Sequence, residues 1–256
     1  PAPVQSVRNG GQSNLDGLCG SCVTSPLTRW GQSMHEERLS ACLKQQIEDW
    51  SASLLRTSPL LTRAQQGALS QAAMAKYLGS LRYLFACSER NLRRAAARAH
   101  QLGLTQLAKH FEHKAKQERG HALWAEDDLS TLSDNARANS SPARDLINLV
   151  ELQDQLIEQH PICFLAYALW AEYFTVLVAD AWLAALAQSG FARGHVSSIA
   201  KHIDADREHA ATGLDVIDSF WTGEPTLGDI SSGVARASAL FVRFCLEICH
   251  VSSHAA

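Results

Sequence analysis

The 256-residue chain is 46% hydrophobic and only 19% charged, with a net charge of −3 and a pI near 6.4. That balance excludes a disordered chain and a long coiled coil, and it leaves no basic footprint for nucleic acid or an anionic membrane. Breakers are sparse, with 15 Gly and 7 Pro beside 38 Ala, which points to long helices.

Residues 1–33 are rich in Gly, Ser, Asn, Gln and Pro and read as an irregular leader ahead of one helical domain over 34–256. The leader holds Cys19-Gly-Ser-Cys22. A zinc ribbon needs a second such pair, and a redox pair needs a thioredoxin-like setting; neither is present. Seven cysteines, an odd number, argue against a disulfide framework. From His35 the pattern turns helical. Over 35–56, Leu39, Cys42, Leu43, Ile47, Trp50 and Leu54 recur at steps of three and four. Pro59 ends that helix. The span to Pro142 predicts helices near 62–101, with Gly79 as a candidate kink, and 104–132, separated at Gly103. Residues 133–142 form a turn with N-cap candidates. Helices over 142–159, 162–188, 195–222 and 227–252 follow, bounded by Pro161, Gly190 and Gly223. No segment alternates with period two. The expected fold is all-α, a single bundle of about seven helices. The nearest approach to a membrane span, residues 162–187, is interrupted by Glu172 and Asp180, and the N-terminus lacks a signal-peptide pattern. The expectation is a soluble protein of a reducing cytoplasm.

Three predicted helices carry candidate metal ligands. Helix 104–132 contains Glu118-Arg-Gly-His121, and residues three apart on a helix share one face. Helix 195–222 contains His202, Asp206 and His209 at i, i+4 and i+7, one narrow stripe. Helix 162–188 carries Glu172 in an apolar run, where a lone carboxylate must be exposed, paired or metal-bound. A carboxylate-x-x-His pair arises about once by chance in a chain of this composition, so neither pair counts for much alone. The conjunction on three helices carries the weight, because helix bundles build dimetal carboxylate sites this way. Imidazole and carboxylate donors without thiolate suit iron or manganese.

The series Glu118-x-x-His121, Glu172, His202-x3-Asp206-x2-His209 resembles the heme-oxygenase-like dimetal oxidases, over roughly residues 60–225. The close Glu-x-x-His opening resembles the branch that includes the 1-alkene-forming fatty-acid decarboxylase. Other branches space this pair more widely, and here Lys114 stands seven residues before His121. The resemblance implies a seven-helix heme-oxygenase scaffold with two Fe(II) per chain and O2 as co-substrate. Glu118, His121 and His202 would hold one iron, Asp206 and His209 the other, with Glu172 bridging or terminal. It also implies a peroxo species that oxidises a small carboxylic acid or amino-acid-like molecule by decarboxylation, carbon–carbon cleavage or N-oxygenation. An external electron donor and a homodimer are compatible with it.

Alternatives remain at this stage. A ferritin-like di-iron N-oxygenase would use Glu89 as its first carboxylate, although Ser-Glu-Arg-Asn-Leu-Arg-Arg looks like a solvated face. A heme or other cofactor binder on the same scaffold would use His35. A non-catalytic helical scaffold would use none of these residues. Trp124, Trp170, Tyr173 and Phe174 flank the candidate ligands and are candidate pocket walls. His110, His113, Asp127 and Asp128 read as exposed, capping or ligand-orienting groups rather than ligands. Lys114 is spaced to pair with Glu118.

Overall fold

The computed structural model describes residues 38–191 and 193–251. The leader with its Cys19–Cys22 pair, and His35, lie outside the described residues. Among those residues there are ten α-helices rather than seven, and no strand.

Helix α1 (Leu39–Thr57) is followed by a separate short helix, α2 (Pro59–Gln65). Ser58 caps α2 by accepting from the Leu61 amide at 3.3 Å, and Pro59 takes the first position, where its missing N–H costs nothing. Gly67, at φ +68°, turns the chain into α3 (Gln71–Gln101). Helix α3 runs unbroken through Gly79, so that glycine marks no break. Its role is close approach, since a Cβ there would fall 1.8 Å from the Ser140 carbonyl oxygen. The next residue, Ser80, accepts from the Ala143 amide at 2.9 Å, so α3 is locked to the loop that starts α7. Gly79→Ala should therefore destabilise the protein by about 3 kcal/mol through overpacking against backbone. Urea denaturation measures this, and unchanged stability, or the gain of about 1 kcal/mol usual for Gly→Ala within a helix, would refute the packing role.

The predicted helix 104–132 is two helices, α4 (Thr105–Gln117) and α5 (His121–Ser130). Gly120 divides them in the left-handed region at φ +87°, a conformation that glycine adopts without steric penalty. A four-residue helix, α6 (Asp134–Arg137), is capped by Ser133. Helices α7 (Arg144–Gln159), α8 (Pro161–Gln188), α9 (Ser197–Phe220) and α10 (Leu227–Cys249) complete the series. Helix α10 opens with a reciprocal Thr226–Asp229 capping box.

Helix α8 is long and apolar enough to cross a membrane by length and composition. Here it is the core helix, in contact with α1, α2, α7, α9 and α10. That surround explains why its sequence shows no one-sided stripe: a helix covered on most sides needs apolar residues on most sides. Trp170, Leu165 and Ile162 are essentially inaccessible.

Candidate metal centre

Glu118 is the C-cap residue of α4, and His121 is the first residue of α5. They therefore do not share one helical face, as the spacing predicted. The turn at Gly120 nevertheless leaves Glu118 Oε2 3.4 Å from His121 Nδ1. The α9 stripe forms as expected, because i, i+4 and i+7 are fixed by helix geometry alone. His202 Nε2 lies 3.7 Å from Asp206 Oδ2, and His209 Nδ1 lies 3.8 Å from Glu172 Oε1 across the α8–α9 interface. Donor atoms of Glu172, Asp206 and His209 all fall within 4.8 Å of one another. The His121 and His202 rings meet edge to face at 5.3 Å. All six candidates thus converge on one region between α4, α5, α8 and α9.

Aromatic rings hold the imidazoles in place. Phe85 of α3 stacks on His202 at 4.5 Å, and Trp124 stacks on His121 at 4.1 Å. Asp128 of α5 is buried, and both its oxygens receive α9. Oδ1 accepts from the Ser197 amide and hydroxyl, and Oδ2 from those of Ser198. A carboxylate at a helix N-terminus satisfies orphan amides and complements the helix dipole.

The electrostatics are those of a crowded acidic site. Burial, and then the nearby Glu172 and Glu118 carboxylates, push the Asp206 carboxyl up to about 9. Burial also pushes the Glu118 carboxyl up, but the His121 and His202 rings outweigh it and hold Glu118 below its usual range. Burial lowers His202 and His110 to about 4. Glu172 Oε2 and His202 Nδ1 are buried without hydrogen-bond partners. Polar atoms left this way are costly unless something fills the space between them.

These shifts set a pH dependence. The raised Asp206 contributes stability that is full below its ordinary value of 3.8 and is lost as pH climbs toward 9. The lowered His202 and His110 contribute stability present above 6.5 and lost as pH falls toward 4. Two histidines outweigh one aspartate on the acid side. The metal-free protein should therefore be most stable near pH 6.5 and weaken in both directions. Urea denaturation at about pH 5, 6.5 and 9 checks this, and stability still rising between 6.5 and 9 would contradict it.

A cavity of about 210 Å³ opens beside the cluster. Its walls are chiefly Leu, Phe, Trp and Ala side chains. Trp170 and Phe174 line it, whereas Trp124 and Tyr173 do not: Trp124 stacks on His121 instead, and the Tyr173 hydroxyl donates to Glu48 at 2.6 Å. Lys114 projects into the cavity and pairs with Glu172, not with Glu118.

No protein-family model and no curated protein matches the sequence. Solved structures do. A domain of unknown function from Shewanella denitrificans OS217, described as having a heme oxygenase-like fold, superposes with a TM-score of 0.71 at 18% identity, covering 82% of this chain and 91% of that one. The fold is heme-oxygenase-like. A TenA homolog from Pseudomonas syringae pv. tomato DC3000 superposes with a TM-score of 0.63 at 13% identity, covering 83% and 93%. At these identities the likeness concerns the fold alone.

Within this heme-oxygenase-like fold, Glu89 does not join the cluster as the ferritin-like alternative requires. It pairs with Arg93 at 2.7 Å and Arg119 at 3.4 Å on the surface. The residue pattern does not predict the break at Gly120 or the placement of Lys114 and His110 on the cavity wall. Gly120 itself was the available signal for the break. For Lys114 and His110 there was none, since an α4 amphipathic pattern does not say which of its polar residues faces α8. His113 is exposed, as expected.

Proposed function

We propose that the protein is a non-heme di-iron oxidase or oxygenase that uses O2 to oxidise a carboxylic acid bearing an apolar chain. The observation that carries this reading is the convergence of three carboxylates and three imidazoles, of which Glu118, Glu172, His202 and Asp206 line a largely apolar cavity, with buried donor atoms of Glu172 and His202 lacking partners. The donor set fits iron, since carboxylate and imidazole ligands without thiolate tolerate its higher valences. Glu118, His121 and His202 would hold one ion, and Asp206, His209 and Glu172 a second. When bound, such a pair of ions would supply O2 activation, with O2 itself as the oxidant.

The chain's own residues do the rest. Phe85 and Trp124 fix the imidazole planes, and Asp128 fixes the start of α9. Asp206 gives up its proton when a cation arrives, so metal affinity should rise with pH. Trp170, Phe174 and the leucines of the cavity keep water from the reacting centre and orient an apolar chain. An amino-acid substrate is the less favoured reading, because among the described residues the carboxylates lining the cavity are Glu118, Glu172 and Asp206, all in the ligand set. An external electron donor and a cytoplasmic setting belong to the same proposal.

The test is an anaerobic Fe(II) titration followed by mixing with O2. Close to two irons per chain and iron-dependent O2 consumption are expected. Uptake of less than one iron, or no O2 consumption by the loaded protein, overturns the reading and turns attention to cofactor binding on the same scaffold.

A further inference from the structure

Lys114 leaves the last turn of α4 and reaches the cavity, where its ammonium pairs with Glu172. The two side chains are only 13% and 14% exposed. Among the described residues that line the cavity, Lys114 is the one Lys or Arg. The acidic groups there are Glu118, Glu172 and Asp206, and every one belongs to the proposed metal centre. Two divalent ions would bring four positive charges against these three carboxylates. Glu172 would then be drawn toward the ions, and no other acidic side chain lines the cavity to take its place beside Lys114. His110, one turn back on α4, offers no negative charge. An enclosed ammonium stripped of its counter-charge is strongly unfavourable. The walls around it, including Leu81, Leu84, Phe174 and Val178, suit an apolar chain.

We propose that Lys114 exchanges partners and determines specificity: it holds Glu172 in the metal-free protein and the substrate's carboxylate once the metals are bound. The inference rests on the di-iron reading. It explains how a cavity with apolar walls would discriminate an acid from an alcohol or an amine of the same length. An ammonium-bearing ligand would meet Lys114 and the metals with no carboxylate left to receive it.

The test uses the full chain loaded with Mn(II) under anaerobic conditions, so that binding is read without turnover. Octanoate, 1-octanol and octylamine are titrated by calorimetry, with the fluorescence of the cavity-lining Trp170 and Trp182 as a second signal. Wild type should bind octanoate at least about tenfold more tightly than 1-octanol, as a charged hydrogen bond implies, and octylamine most weakly. Lys114→Met should bring octanoate to the level of 1-octanol and leave 1-octanol within about twofold of wild type. Lys114→Gln serves the same purpose if the methionine variant fails to fold, and Lys114→Arg should keep the preference for the acid. Failure of wild type to take up Mn(II) overturns the metal-centre reading and this assignment with it. Mn(II) uptake with no acid preference in wild type, with no ligand bound at all, or with a preference that survives loss of the lysine charge, overturns the Lys114 assignment alone.

Discussion

Glu172→Ala is expected to abolish stoichiometric iron uptake and the O2 consumption that depends on it. Glu172 lies 3.8 Å from His209 Nδ1 and within the trio that includes Asp206. Its Oε2 is buried with no hydrogen-bond partner, so it is poised to accept a cation. The substitution has a second consequence that no metal assay would show. Lys114 would lose its hydrogen-bonded partner in the cavity, with Glu118 left nearby to offset part of its charge, and losing a hydrogen bond to a charged group costs about 1.5–3 kcal/mol. The metal-free variant should thus unfold at distinctly lower urea concentration than metal-free wild type. Glu172→Gln separates the two effects. The amide still accepts a hydrogen bond from Lys114 and fills the same volume, so less stability is lost, while metal uptake fails just as completely. Colorimetric iron analysis, an oxygen electrode and urea melts read the three quantities. A Glu172→Ala protein with two irons and wild-type O2 consumption would remove Glu172 from the centre.

Asp128→Ala should cost about 3 kcal/mol of stability and lower metal affinity about tenfold, although Asp128 is not a candidate ligand. The cause lies at the start of α9. Two backbone amides and two hydroxyls, from Ser197 and Ser198, donate to the Asp128 carboxylate at 2.5–3.1 Å, and Asp128 is 1% exposed. Alanine would leave buried donors unsatisfied and remove the negative charge from the helix N-terminus. Helix α9 carries His202, Asp206 and His209, so a frayed or shifted first turn displaces three candidate ligands at once. Asp128→Asn, with one acceptor oxygen in place of two, should fall between wild type and alanine. Urea denaturation and a Mn(II) titration with a competing chelator check both parts. Wild-type stability in Asp128→Ala would show that the α9 start is held by something else.

Residues separated by one or two helical turns were readable in the sequence. Period-3.6 patterning and sparse breakers predicted an all-α chain, and the ends of α1, α7, α8 and α9 fall within a few residues of Pro59, Pro161, Gly190 and Gly223. Glu172 in an apolar run had to be exposed, paired or metal-bound, and it is paired. Local breaks were less readable. The helices expected over 62–101 and 104–132 are each preceded or divided by turns at Gly67 and Gly120, where the choice between continuing a helix and adopting positive φ depends on what surrounds the glycine.

What the sequence by itself determined is therefore local: the helical class, the apolar core helix α8, and the stripe that places His202, Asp206 and His209 on one side of α9. The tertiary structure decided the rest. It brought Glu172 to Lys114 across 58 residues, Asp128 to the start of α9 across about 70, and the Ser140 carbonyl onto Gly79. It also enclosed the apolar cavity against the cluster. Periodicity records which face of a helix is buried. It does not record which other helix covers that face, or at what height along the axis the two meet. Those choices come from side chains of several helices packing together, and they set which charges become neighbours inside the protein.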